Sequence, residues 1–164
     1  MSAFVGLGAN LGDARAALAS AASALAHLPG TRLVAASSLY ASAPVGAGGP
    51  DYLNAVLALE TELAPLALLH AMQDVENAAG RERPYRHAPR TLDLDLLLYG
   101  TLRLSGDELA VPHPRMEQRA FVLLPLHEIA PERVSPEQLA RVAHQRIHRV
   151  ASAREWLALE LLKP

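Results

Sequence analysis

Two aspartates stand two positions apart in the run Pro89-Arg90-Thr91-Leu92-Asp93-Leu94-Asp95-Leu96-Leu97-Leu98-Tyr99. The rest of that run is apolar enough to be a core strand. Side chains alternate between the faces of a strand, so Asp93 and Asp95 share one face while Leu92, Leu94, Leu96 and Leu98 take the other. Burying an unpaired carboxylate costs several kcal/mol or makes it take up a proton, so two side by side require a cation or an arginine partner. A hard divalent metal meets that need: Mg²⁺ binds one or two carboxylates, keeps several waters and completes its shell with substrate phosphates. Taken alone, Asp-x-Asp is short and common, and it equally describes a solvated strand end or a structural network with arginines. The preceding residues favour the metal. Arg81, Arg83, Arg86 and Arg90 fall within ten residues, interleaved with Gly80, Pro84 and Pro89, which break regular structure and make this an arginine-rich loop. Arginine is always charged and offers a planar fork that grips phosphate bidentately. The chain's sole lysine is Lys163, so part of the preference for arginine is compositional. Cations for non-bridging oxygens beside carboxylates for metal still match a metal-bound polyphosphate.

The elements that must hold these groups follow from periodicity. Phe4 to Gly8 reads as a first strand, followed by Ala9-Asn10-Leu11-Gly12-Asp13 and a helix to Leu28, with Leu18, Leu25 and Leu28 at helical spacing and Pro29-Gly30 as its stop. Arg32 to Tyr40 and Leu53 to Glu60 read as strands joined by a loop over residues 43–50. A second helix fits Pro65 to Ala79, with proline in its first turn, Leu66, Leu69, Met72 and Val75 on one face and Gly80 at its end. The Asp-bearing strand completes β-α-β-β-α-β. The expected fold class is therefore α+β, a ferredoxin-like sandwich in which two helices cover one face of an antiparallel sheet. Beyond it lie an excursion from Leu102 to Val111, the segment Pro112-His113-Pro114-Arg115-Met116, and an apolar helix near Ala120 to Leu126. A further helix opens with a capping box at Ser135-Pro136-Glu137-Gln138, and a tail with Trp156 follows that is either helix or strand.

Composition narrows the classes of function. The chain has 164 residues, 51% hydrophobic and 20% charged, as expected for one globular domain. A formal net charge of -2 gives no general attraction to nucleic acid or an anionic membrane, so the basic loop must act locally. There is no cysteine, which excludes disulfides, thiolate metal sites and a thiol nucleophile, and suits a reducing cytosol. The Ala-rich stretch from Ala14 to Leu28 follows a strand and is weakly hydrophobic, which speaks against a secretory leader. No uncharged apolar run is long enough to span a membrane. Gly6-x-Gly8 after a strand suggests a dinucleotide site, but the third glycine is Gly12, giving the wrong spacing, and no Walker A sequence is present. A ferredoxin-like RNA-binding module would need exposed strand aromatics and a basic sheet face, whereas aromatic residues make up 4% and the arginines cluster in one loop.

Six segments, taken in order, carry a family resemblance. They are Gly6-Leu7-Gly8-Ala9-Asn10-Leu11-Gly12, Pro50-Asp51-Tyr52-Leu53-Asn54-Ala55, Gly80-Arg81-x-Arg83, Ala88-Pro89-Arg90-Thr91-Leu92-Asp93-Leu94-Asp95, Pro112-His113-Pro114-Arg115-Met116 and Arg119-Ala120-Phe121-Val122. From about Val5 to Pro131 the chain resembles the 6-hydroxymethyl-7,8-dihydropterin pyrophosphokinases of folate biosynthesis. The resemblance implies a cytoplasmic monomer that transfers a diphosphate from ATP to the pterin hydroxymethyl group and releases AMP. Its partners would be these two small molecules, with no nucleic acid and no membrane.

By the same resemblance, Asp93 and Asp95 hold two Mg²⁺. Arg81, Arg83 and Arg90 bind phosphate and close with their loop over the reaction. Gln73, Glu76, Leu96, His113 and Arg119 lie at the nucleotide. Ser42, Val45, Tyr52, Asn54 and Phe121 form the pterin pocket. Read without the resemblance, Tyr52 is a half-buried strand aromatic, Gln73 and Glu76 fit a solvent-facing helical stripe, and His113 between prolines is as well explained by structure as by function. Asn54 is harder to treat so, because an amide on an apolar strand must have its hydrogen bonds satisfied. The chain departs from the family pattern at His87, where tryptophan is common, in a loop one residue shorter between Arg83 and Arg90, and at Glu108 and Ala110, where some relatives use basic and hydroxyl residues.

Overall fold

The computed structural model describes residues 1–10, 12–43, 51–80 and 92–162. Val45 and the arginine segment with Arg81, Arg83, Arg86, His87 and Arg90 lie outside the described residues. Strand β1 (Ser2–Ala9) leads into helix α1 (Ala14–Ala26), then β2 (Thr31–Ala36), β3 (Leu39–Ser42), β4 (Tyr52–Thr61), α2 (Pro65–Gly80) and β5 (Asp93–Tyr99). A small hairpin of β6 (Leu104–Ser105) and β7 (Ala110–Val111) follows. After it come α3 (Ala120–Ile129), α4 (Pro136–Arg141), β8 (Ile147–Ala151) and α5 (Ala153–Trp156). The main sheet runs β5-β1-β4-β3-β8, with β2 also on β4, and every pairing is antiparallel. This is the expected ferredoxin-like core, extended at one edge by β8.

The expected single strand from Arg32 to Tyr40 is two strands. The break falls at Ser37 and Ser38, where the Ser37 hydroxyl accepts the Val56 N–H at 2.9 Å while the Ser37 N–H donates to the Val56 carbonyl at 2.9 Å. A buried side chain thus stands in for a ladder bond while the backbone changes course. Helix α1 is capped by the Asp13 side chain, which accepts from the Ala16 N–H at 3.0 Å. On α2 the buried positions are Leu68 and Met72, whereas Leu66 is 41% exposed. Met72 of the expected stripe is buried and Leu69 and Val75 pack against the same core, so Leu66 alone of the four departs from the expected face, and Leu68 joins the stripe.

Both faces of the sheet are packed. Leu18 and Leu25 of α1, with Leu68 and Met72 of α2, bury Val5, Leu7, Leu57, Leu59, Leu94 and Leu96 on one side. Leu123 and Leu126 of α3 bury Phe4, Val56, Leu97 and Leu98 on the other. The register between β1 and β5 shifts between Phe4 and Val5, with Val5 opposite Leu96 and Phe4 opposite Leu98. This bulge resets the alternation. Leu94 and Leu96 lie with α1 and α2, but Leu98 joins Leu97 beneath α3, which corrects the simple expectation for Leu98. The C-terminal residues are tied back by Trp156, which is 4% exposed and donates its indole N–H to the Ser37 carbonyl at 3.0 Å.

Candidate active site

Strands β4, β1 and β5 lie side by side, and their register builds the floor of a cleft of about 860 Å³. Gly8 of β1 stands opposite Asn54 of β4 and Asp93 of β5, while Gly6 stands opposite Asp95. The glycines keep this row low. A Cβ on Gly8 would come within 3.1 Å of the Asn54 amide nitrogen, so any larger residue there would crowd the amide where it lies across the strand. The walls come from α2, through Gln73 and Glu76, and from the start of α3, through Arg119 and Phe121.

The cleft has a charged end. Asp95 is 41% exposed; its Oδ1 lies 3.7 Å from His113 Nε2 and its Oδ2 lies 3.6 Å from Arg119 Nη1. These are ion-pair distances longer than hydrogen bonds. His113 Nδ1 accepts the Arg115 N–H at 3.1 Å, so the neutral imidazole carries its proton on Nε2, the nitrogen facing Asp95. Burial, with help from Arg119 and Arg115, lowers the His113 pKa below its usual value against the pull of Asp95. The Arg119 guanidinium also lies over the Phe121 ring, 5.4 Å from its centroid. Between the two aspartates, the Leu94 N–H donates to Glu76 Oε2 at 2.9 Å. Because β5 ends the sheet, this contact occupies a backbone donor that β1 does not use and fixes the segment carrying both carboxylates.

The other end is polar and aromatic. Asn54 is 4% exposed, and its Oδ1 accepts from the Ser42 hydroxyl at 2.7 Å. Its Nδ2 has no acceptor among the described residues, an unusual condition for a buried amide that points to a ligand. Tyr52 and Phe121 are half-buried in the same cleft.

The expected residues Ser42, Tyr52, Asn54, Gln73, Glu76, Asp93, Asp95, His113, Arg119 and Phe121 all line this one cleft. Leu96 does not; it is 3% exposed and packed in the core. Glu108 is away from the cleft, in an exposed pair with His70 at 2.6 Å. Sequence reasoning overlooked Asn10 and Arg115, which line the cleft. The signal for Arg115 was its place two residues after His113 in a proline-bounded turn. Among the described residues no three His, Cys, Asp or Glu side chains converge as a metal cage. Two same-face carboxylates at an open cleft instead fit a hard cation such as Mg²⁺, which takes its remaining ligands from water and substrate oxygen.

Known proteins resemble the chain over this same region. Residues 4–131 match the family described as 7,8-dihydro-6-hydroxymethylpterin-pyrophosphokinase (HPPK). The chain is 47% identical over 157 residues to the Pseudomonas aeruginosa protein named 2-amino-4-hydroxy-6-hydroxymethyldihydropteridine pyrophosphokinase, covering 92% of this chain and 97% of that protein. Proteins of the same name are 46% identical over 137 residues in Haemophilus influenzae, covering 83% and 86%, and 41% identical over 128 residues in Bacillus subtilis, covering 77% and 77%. A solved structure described as "Crystal Structure Analysis of the HPPK-DHPS in complex with substrates" superposes with a TM-score of 0.59 at 13% identity. It covers 80% of this chain, which spans 40% of that larger one, and this likeness speaks for the fold alone. The matched span takes in every cleft residue named above, and the chain belongs to the HPPK family of pyrophosphokinases.

Proposed function

We propose that the chain transfers the terminal diphosphate of ATP to the hydroxymethyl group of 6-hydroxymethyl-7,8-dihydropterin, a step of folate biosynthesis. The observation that carries this reading is one cleft with a buried amide donor that has no acceptor among the described residues at one end and a same-face carboxylate pair at the other. Asn54 Nδ2 suits an acceptor on the edge of a flat heterocycle, and Tyr52 and Phe121 offer ring faces for stacking. Ser42 orients the amide by donating to its oxygen, and Val45 belongs to the same pterin pocket in this reading.

The substrate hydroxymethyl oxygen attacks the β-phosphorus, the bond from that phosphorus to the α,β-bridging oxygen breaks, and AMP leaves with that oxygen. The β- and γ-phosphoryl groups pass to the pterin, and the hydroxyl proton goes to water. Two Mg²⁺ held by Asp93 and Asp95 would neutralise phosphate charge on both sides of the reacting phosphorus. Arg119 and the His113 Nε2–H, now facing Asp95, are donors for phosphate oxygens once nucleotide enters. Arg81, Arg83 and Arg90 add phosphate contacts, and Gln73 and Glu76 flank the nucleotide. In this reading the chain works as a monomer in the cytoplasm, and its lack of cysteine suits a reducing compartment.

The test is product analysis with ATP, Mg²⁺ and the reduced pterin. AMP and pterin diphosphate in equal amounts are expected. ADP as the nucleotide product, or no AMP above the pterin-free control, overturns the reading.

A further inference from the structure

Arg119 and Phe121 reach the cleft from the first residues of α3, and that helix start has no cap of its own. Arg119 occupies the N-cap position with extended backbone, φ -123 and ψ 109, and makes no capping hydrogen bond through its side chain. The first N–H groups of a helix have no partner within it. For Ala120 the partner comes from 25 residues downstream: Gln145 Oε1 accepts its N–H at 2.9 Å. The same side chain uses Nε2 to donate to the Gln118 carbonyl at 2.8 Å. One amide therefore grips the backbone on both sides of Arg119.

Gln145 is itself held. Its N–H donates to the Val142 carbonyl at 3.0 Å, and the strand that follows, β8, pairs with β3. It does not line the cleft, and it lies past residue 131, where the family match ends. We propose that Gln145 is a positioning residue that fixes Arg119 for diphosphate transfer. This rests on the reading of the cleft as a pyrophosphokinase site. Without the amide, the Ala120 N–H and Gln118 carbonyl would turn to water and the first turn of α3 would fray. A guanidinium displaced by about 1 Å from a transferring phosphate can cost on the order of a hundredfold in rate.

Gln145→Met keeps the side-chain volume and removes both hydrogen bonds. It is expected to lower kcat by on the order of tenfold, to speed hydrogen exchange at the Ala120 amide, and to lower the melting temperature by only a few degrees. In an Arg119→Ala background the same substitution should change kcat by less than about twofold, because its effect passes through Arg119. Gln145→Glu, which keeps the acceptor for Ala120 and loses the donor to Gln118, should show a smaller loss that also disappears in that background. It carries the test if Gln145→Met does not fold. Trp156→Phe is the control: it cuts the other tie of the C-terminal segment, the indole bond to Ser37, and should lower the melting temperature while keeping kcat. Additive losses in the double mutants, an unchanged kcat, or an equal kcat loss in Trp156→Phe each overturn the proposal. Failure of the pyrophosphokinase reading shows separately, as wild-type protein that forms no AMP, and Ala120 exchange still reports the clamp there.

Discussion

The two ends of α3 each meet a carboxylate and an arginine, and they are wired in opposite ways. Near the C-terminal end, Glu128 accepts from the Ser38 N–H at 2.9 Å, the Ser38 hydroxyl at 2.8 Å and the Tyr40 hydroxyl at 2.7 Å, with Arg149 3.7 Å away. At the N-terminal end, Asp95 has Arg119 and His113 at 3.6 and 3.7 Å and keeps lone pairs facing the cleft. The first carboxylate is saturated by the protein and ties α3 to β3. The second is held near cations without being used up by them, as a ligand site must be. Protonation follows the same division. Burial raises the Glu128 carboxyl, but the Tyr40 and Ser38 hydrogen bonds outweigh it and hold the pKa below the ordinary value. Tyr40 is pushed up to about 12, chiefly by burial and then by its bond to Glu128.

The largest expected effect tests the carboxylate pair of the cleft. Asp95→Ala or Asp93→Ala should cut AMP formation by on the order of a thousandfold while the protein still folds. A steady-state rate near wild type in saturating Mg²⁺ would refute the division drawn above. Next comes the uncharged end of the same cleft. Asn54→Ala should weaken pterin binding by roughly ten- to a hundredfold, the cost of leaving about 1–3 kcal/mol of ligand polarity unpaired. ATP binding should be retained, and calorimetry showing equal losses for both ligands would make Asn54 a structural residue instead.

Glu128 should give the mirror image. Glu128→Gln is expected to keep kcat and to lower stability by about 1–2 kcal/mol, measured by urea denaturation at neutral pH. Because its folded-state pKa is depressed, the Glu128 contribution is complete above its ordinary value of 4.5 and is lost as pH falls through the lower folded-state value. Wild type and variant stabilities should therefore converge in acid, and a constant gap would contradict the assignment. Tyr40 runs the other way: its raised value means a contribution complete below 10.0 and lost as pH rises through about 12. Absorbance titration should show the Tyr40 phenol titrating earlier in Glu128→Gln than in wild type. The smallest effect belongs to Arg115, exposed at the cleft rim. Arg115→Ala should weaken ATP binding only a few-fold, roughly the worth of one solvent-screened charge, and less at high salt.

Much of this division was legible in the residues themselves. Asp93 and Asp95 share a face because strand geometry alternates side chains, whatever the strand packs against. Pro65, Gly80, the Asp13 cap and the Ser135-Gln138 capping box are local signals, and the helices begin and end near them. Local pattern failed where the answer depended on a partner far away in the chain. Leu98 changed face because β5 meets β1 with a bulge, and β8 formed because β3 offered it an edge.

The site divides along the same line. The sequence by itself determined which groups could handle a metal-bound polyphosphate and that an amide on an apolar strand needed a partner, since these follow from side-chain chemistry and spacing. Only the tertiary structure decided that Ser42 takes the oxygen of Asn54, that Gly8 makes room for its nitrogen, and that Gln145 bonds the backbone on both sides of Arg119 from 25 residues beyond Ala120. The physical reason is that a hydrogen bond, unlike a periodicity, depends on distance and angle within a few tenths of an ångström, and those are set by packing and register across the whole chain.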